Sequence, residues 1–136
     1  MKIFYKTRAT ANGGRSGTTA LDDGSLSIEL APPGSGKAGA NPEQLFALGY
    51  AACFGNAIKY LAESQKLPLS SSQTSAEVGM GQTQEGGFKL DVDLHVTLAG
   101  LDQAGAEALL AKAHAICPYS NALRGNVDVR LHLTVA

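Results

Sequence analysis

Cys53 and Cys117 are the only thiols in the 136-residue chain. A thiolate is a nucleophile and metal ligand, and two thiols together can cycle between dithiol and disulfide. Two cysteines in a chain without a disulfide framework argue for redox or nucleophilic chemistry over a structural staple. Taken singly, either could equally be a small buried hydrophobe. Cys53 sits among Gly49, Ala51, Ala52 and Gly55, small residues that let other groups approach closely. Cys117 precedes Pro118 at a helix C-terminus, where the dipole's negative end disfavours a thiolate. Cys53 falls in mid-helix, gains little from either end, and needs an external cation to ionise near neutral pH. Lys59 is turned away, six residues or ~240° further round the helix. Arg15, in the glycine-flanked run Gly13-Gly14-Arg15-Ser16-Gly17, can fold inward from a loop; position alone also fits an ordinary solvated arginine.

The element that must carry Cys53 is the stretch Asn41 to Ser64. Asn41-Pro42-Glu43-Gln44 is a helix start: a capping side chain, proline at the first helical position, and acid in the first turn. Leu45, Phe46, Leu48, Tyr50, Phe54, Ala57, Ile58 and Leu61 then place apolar surface on nearly every side, as in a helix buried among other elements. Before it, residues 1 to 8 with Ile3, Phe4 and Tyr5 suggest a short strand. Asn12-Gly13-Gly14 marks a turn, and Thr18 to Leu21 with Ser25 to Leu30 form a hairpin closed by Asp22-Asp23-Gly24. Residues 31 to 40 are a glycine- and proline-rich loop. It lacks the first glycine and the final Ser or Thr of a phosphate-binding loop, with Ala31 and Ala38 in those places.

After the Leu67-Pro68-Leu69 break, strands are predicted over Gln73 to Gln82 and Gly87 to Leu98. In the second, Phe88, Leu90, Val92, Leu94, Val96 and Leu98 alternate with polar residues, the pattern of a half-buried antiparallel strand. A helix over Asp102 to Ile116 carries the stripe Ala106, Leu109, Leu110, Ala113 and Ile116 and ends at Cys117-Pro118. Tyr119, Ser120 and Asn121 read as a turn first and as site lining second. Asn126 to Val135 closes the chain as a strand. The element order gives one α+β domain over residues 1–136, with helices packed on largely antiparallel sheet.

A formal net charge of −1 gives no electrostatic case for nucleic acid or an acidic membrane. The long helix is interrupted by Glu43, Asn56 and Lys59, against a bilayer span, and the N-terminus lacks a signal-peptide core; a cytoplasmic protein is expected. His95, His114 and His132 have no metal-ligand spacing and read as surface positions, so no metal is expected. Asp128 and Arg130 read as a surface pair.

Two long segments carry a resemblance. Asn41-Pro42-Glu43-Gln44-Leu45-Phe46 followed by Gly49-Tyr50-Ala51-Ala52-Cys53-Phe54 resembles the first signature of the organic hydroperoxide resistance (Ohr) branch of the Ohr/OsmC family. Cys117-Pro118-Tyr119-Ser120-Asn121-Ala122 with Arg124-Gly125-Asn126 resembles the second, and Gly13-Gly14-Arg15 is similar to the family's N-terminal arginine segment. Leu123 stands where such proteins often carry a polar residue, and Ser-Gly-Thr-Thr after Arg15 where a charge is common. The resemblance implies an intertwined homodimer of Ohr/OsmC-like fold, largely antiparallel sheets around a long central helix, with active sites at the interface. It implies a thiol peroxidase that reduces organic hydroperoxides, fatty-acid hydroperoxides included. No cofactor would be bound; dihydrolipoamide or a lipoylated protein would be the electron donor. Cys53 would be the peroxidatic thiol, Cys117 the resolving thiol that forms a disulfide with it, Arg15 the cation stabilising the thiolate, and Glu43 the partner orienting Arg15.

Helix geometry adds one expectation. Glu43 and Cys53 are ten residues apart, ~15 Å of rise on one straight helix, so an arginine bound to Glu43 is expected to serve Cys53 of a partner subunit. Phe46, Tyr50, Phe54, Phe88 and Ile116 offer apolar surface suited to an alkyl or acyl peroxide, and equally suited to a core. The alternative function is an OsmC-like dimer that binds a small apolar ligand without peroxidase turnover.

Overall fold

Asn41 starts the long helix as its chemistry dictates. Its Oδ1 accepts from the Gln44 N–H at 2.8 Å, and Gln44 Oε1 accepts from the Asn41 N–H at 2.9 Å, a reciprocal cap satisfying two otherwise orphaned donors. In the computed structural model, which describes residues 1–136, this helix, α1, runs Pro42–Ser64. The chain forms two compact units, Met1–Leu45 and Phe46–Ala136.

The first unit is a three-stranded antiparallel sheet followed by the first turn of α1. Strand β1 (Ala9–Asn12) pairs with β2 (Thr18–Leu21), and β2 with β3 (Ser27–Glu29), in the register Thr18↔Glu29 and Ala20↔Ser27. The hairpin expected at Asp22-Asp23-Gly24 is present, with Gly24 at φ 79°. Residues 31 to 40 form a loop pinned by a parallel bridge between Leu30 and Ala40. The strand expected over residues 1 to 8 is absent: pairing begins at Ala9, and Ile3, Phe4 and Tyr5 are exposed. Apolar β-formers do not make a strand without a neighbour to bond.

In the second unit, β4 (Ser71–Gln82) and β5 (Phe88–Ala99) pair antiparallel along their whole length, from Ser71↔Ala99 to Gln82↔Phe88. After α2 (Gln103–Ile116) and a short α3 (Pro118–Leu123), β6 (Val129–Val135) pairs with β5 in parallel. Parallel strands need a crossover, and the two helices supply it. The core joins Tyr50, Phe54, Ile58 and Leu61 of α1 to Val92, Leu94, Val96 and Leu98 of β5 and to Ala106, Leu109 and Ala113 of α2. Asp102 caps α2 by accepting from Gly105 N–H at 2.7 Å.

Several expectations are corrected. Residues 118–123 are helical rather than a turn, because Pro118 at the first helical position starts a new helix where it ends the old one. Ile116 is exposed, off the buried stripe of α2, and Phe88 is exposed at the outer end of β5, beyond the reach of the core. Leu48 and Tyr60 of α1 are exposed too, so the helix buries one side rather than all round. By length and composition alone α1 is apolar enough to cross a bilayer, which three scattered polar residues do not prevent. A helix whose one side forms a protein core passes the same test. His114 is half-buried rather than a surface residue. Arg130 forks onto Asp91 and Asp93 across the sheet instead of pairing with Asp128.

Candidate active site

Arg15 owes its position to glycine. Gly13 caps a single 3-10 turn, Gly14–Ser16, in the left-handed region at φ 78°. A Cβ on Gly17 would lie 1.7 Å from the Asn12 carbonyl oxygen, so no other residue fits between β1 and β2. The turn presents the guanidinium as a fork to Glu43, in the first turn of α1. Arg15 Nη1 donates to Glu43 Oε2 at 2.8 Å and Nη2 to Oε1 at 2.6 Å. Two parallel charge-assisted bonds lock orientation as well as proximity, which a lysine cannot do. The hydrogen bonds from Arg15 hold the Glu43 carboxyl below its usual range, against a small opposing effect of burial, and the same bonds raise the arginine. An apolar cavity of about 270 Å³ opens beside the fork, lined by Ala11, Gly14, Arg15, Thr19, Leu30, Pro42 and Leu45.

Within the second unit, the two sulfurs meet. Cys117 is fully buried at the junction of α2 and α3, Cys53 is half-buried on α1, and both are free thiols. Cys117 Sγ donates to Cys53 Sγ at 3.7 Å. Burial pushes the Cys53 thiol up; a backbone hydrogen bond from Tyr119 pulls it down, and Cys117 pushes it up again. The groups of this unit therefore disfavour the Cys53 thiolate.

Phe46, Tyr50 and Phe54 line up along α1, and the first two meet Tyr119 of α3. Ring centroids are 5.9 Å apart for Phe46–Tyr50 and 5.6 Å for both Phe46–Tyr119 and Tyr50–Tyr119. A Cβ on Gly49 would lie 2.5 Å from the Tyr119 hydroxyl oxygen, so that glycine admits the ring. Phe88 and Ile116, 72% and 43% exposed, do not belong to this aromatic group. Ser120, which the sequence offered only as a second reading for site lining, is the one fully buried polar residue. Its Oγ lies 2.7 Å from Tyr50 Oη and 2.9 Å from His114 Nδ1. A serine three residues past a helix-ending cysteine was the available signal. His95 and His132 stack at 4.6 Å on the far sheet face and bond Glu77 and Asp93.

Fold and site together define an α+β protein with two free thiols in contact at 3.7 Å. Residues 34–132 match the family model described as OsmC-like protein. An organic hydroperoxide resistance protein of Xanthomonas axonopodis pv. citri is 47% identical, covering 97% of this chain and 96% of that one. The organic hydroperoxide resistance protein OhrB of Bacillus subtilis is 44% identical over 96% of this chain and 98% of its own. A crystal structure of an organic hydroperoxide resistance protein from Legionella pneumophila superposes with a TM-score of 0.94 at 52% identity, covering 98% and 100% of the two chains. This chain belongs to the Ohr branch of the Ohr/OsmC family, and its fold is the Ohr/OsmC-like fold.

Proposed function

We propose that this protein is a two-cysteine peroxidase acting in resistance to organic hydroperoxides. The Cys53 thiolate attacks the terminal peroxide oxygen, the O–O bond breaks, and the alkoxide leaves and takes up a proton. Cys53 becomes a sulfenic acid. The Cys117 sulfur then displaces hydroxide from Cys53, forming the disulfide, and the hydroxide departs as water with the Cys117 proton. An external dithiol, dihydrolipoamide or a lipoylated protein, restores both thiols by exchange and leaves oxidised. Arg15 favours the thiolate and meets charge developing on the peroxide oxygens, with Glu43 holding its fork in place.

The carrying observation is the pair of reduced sulfurs 3.7 Å apart, one buried and one partly open. The names of the relatives supply the substrate class. The rise in the Cys53 thiol supports a role for an added cation, and a homodimer would bring Arg15 and Glu43 of one chain to Cys53 of the other. A cytoplasmic location agrees with a cycle that depends on reduced thiols. The test is consumption of cumene hydroperoxide with dihydrolipoamide, compared with glutathione and thioredoxin as donors. Turnover with dihydrolipoamide and little with the others is expected. Stoichiometric binding of an apolar ligand without peroxide consumption would instead establish the ligand-binding dimer.

A further inference from the structure

Ser120 raises an accounting question that the peroxidase chemistry leaves unanswered. A serine hydroxyl has one donor and two acceptor positions, a tyrosine hydroxyl one donor, and a neutral imidazole one donor and one acceptor. Tyr50 from α1, Ser120 from α3 and His114 from α2 meet at a single oxygen, and Tyr50 and Ser120 are fully buried. With Tyr50 O–H donating to Ser120 and Ser120 O–H donating to His114 Nδ1, every buried hydroxyl proton is used, and the imidazole carries its own proton on Nε2. The reverse order has His114 Nδ1–H donating to Ser120 and Ser120 to Tyr50. It leaves the Tyr50 proton buried with no acceptor, and an order in which Tyr50 and His114 both donate to Ser120 leaves the Ser120 proton without one, each at a cost of about 1–3 kcal/mol.

The surroundings favour the same answer. Burial, and then the charge of Arg124, keep the His114 pKa below its ordinary value. Arg124 Nη2 donates to the His114 backbone carbonyl at 2.7 Å. From α1 the ring meets Phe54 and, through Ser120, Tyr50; from the end of α3 comes the guanidinium of Arg124. No carboxylate bonds to it to offset that positive charge.

The chain also has a place in the site. Tyr50 and Cys53 are three residues apart on α1; Cys117 and Ser120 are three residues apart at the start of α3. The Tyr50–Ser120 bond at 2.7 Å and the Cys53–Cys117 contact at 3.7 Å are thus two rungs between the same pair of segments, one turn apart. We infer that Tyr50, Ser120 and His114 form a directional hydrogen-bond chain that positions Cys117 for disulfide formation with Cys53, with neutral His114 as the terminal acceptor. Ser120 and His114 are positioning residues: they act through Cys117.

The proposal deepens the peroxidase reading for its physiological meaning, but its test does not need hydroperoxide. Diamide oxidises dithiols directly: Cys53 adds across its N=N bond, Cys117 displaces the adduct, and the disulfide and a hydrazine result. Intramolecular displacement depends steeply on the placing of the second sulfur. Ser120→Ala and His114→Gln should slow diamide-driven Cys53–Cys117 formation about tenfold. His114→Asn, whose amide can put an acceptor where Nδ1 stood, should recover most of the wild-type rate. Every variant slows in acid as the thiols protonate, but the wild type should show a further fall as His114 protonates, and that additional limb should vanish in His114→Asn. Nitrogen-15 NMR of the reduced wild-type protein should show the Nε2–H tautomer.

An Nδ1–H tautomer, a wild-type rate in Ser120→Ala, or no advantage of Asn over Gln at position 114 would each overturn the proposal. Should Ser120→Ala not fold, Tyr50→Phe breaks the same rung. A parallel run with cumene hydroperoxide separates the two readings. A wild type that closes its disulfide with diamide yet ignores the hydroperoxide defeats the peroxidase reading alone.

Discussion

The two units hold their chemical groups by opposite means. In Met1–Leu45, Arg15 is carried on a glycine-bounded turn and fixed by two charge-assisted bonds to Glu43, with the arginine side chain 44% exposed. The two parallel bonds fix the orientation of the guanidinium as well as its distance. In Phe46–Ala136, Cys117 is buried at the junction of α2 and α3 as a member of the core, and its distance from Cys53 is a product of packing. Electrostatic locking tolerates solvent and suits a charged group; packing excludes water and suits an uncharged one. The same contrast explains why burial raises the Cys53 thiol while Glu43 is lowered.

Changes at the sulfurs should have the largest effect. Cys53→Ser is expected to abolish hydroperoxide turnover, a loss of about a thousandfold or more, measured as cumene hydroperoxide consumed with dihydrolipoamide. Cys117→Ser should allow one oxidation and then over-oxidation of Cys53, visible by mass spectrometry as the sulfinic acid. Full activity in the Cys53 variant would end the contrast by removing its thiol side.

The fork comes next. Arg15→Lys keeps the charge and loses the bidentate geometry, so kcat/KM should fall about a hundredfold with little change in melting temperature. Because Arg15 lowers Glu43, the stabilisation from this pair is fully present above the ordinary glutamate pKa and is lost only as pH falls through the lower folded value. Glu43 should therefore contribute no acid limb to activity between pH 5 and pH 8. A limb in that range that disappears in Glu43→Gln would contradict it.

Packing in the second unit is probed by Gly49→Ala. The new methyl would meet the Tyr119 hydroxyl at 2.5 Å, so the ring must move, at about 1–3 kcal/mol in urea unfolding. The smallest effect should be Asn41→Ala, which removes one side of the reciprocal cap at 2.8 Å and costs about 1 kcal/mol. A larger loss from Asn41→Ala than from Gly49→Ala would reverse the assignment of packing to one unit and polar locking to the other.

Much of the fold was legible because its signals are local. Asn41-Pro42-Glu43-Gln44 announces a helix start wherever it occurs. The alternation from Leu90 to Leu98 announces a strand with one buried face, and Cys117-Pro118 ends a helix by steric necessity. The same reasoning misplaced residues 1 to 8, since apolar strand-formers need a neighbour that sequence does not provide. It also read Tyr119, Ser120 and Asn121 as a turn first, whereas they lie in α3, since a proline that stops one helix can start the next. Arg130 was matched to Asp128 by closeness in sequence, whereas Asp91 and Asp93 reach it through the parallel register of β5 and β6.

By itself the sequence determined the caps, the turns, most of the element boundaries and, through two long signatures, the family. Each depends on the conformational preferences of neighbouring residues or on a pattern read directly from the chain. Only the tertiary structure decided that sulfurs 64 residues apart lie 3.7 Å from each other, that Ser120 is buried between Tyr50 and His114, and that the guanidinium of Arg15 closes as a fork. Those facts depend on which helix faces pack together, and packing between distant segments is settled by the whole core rather than by any local stretch.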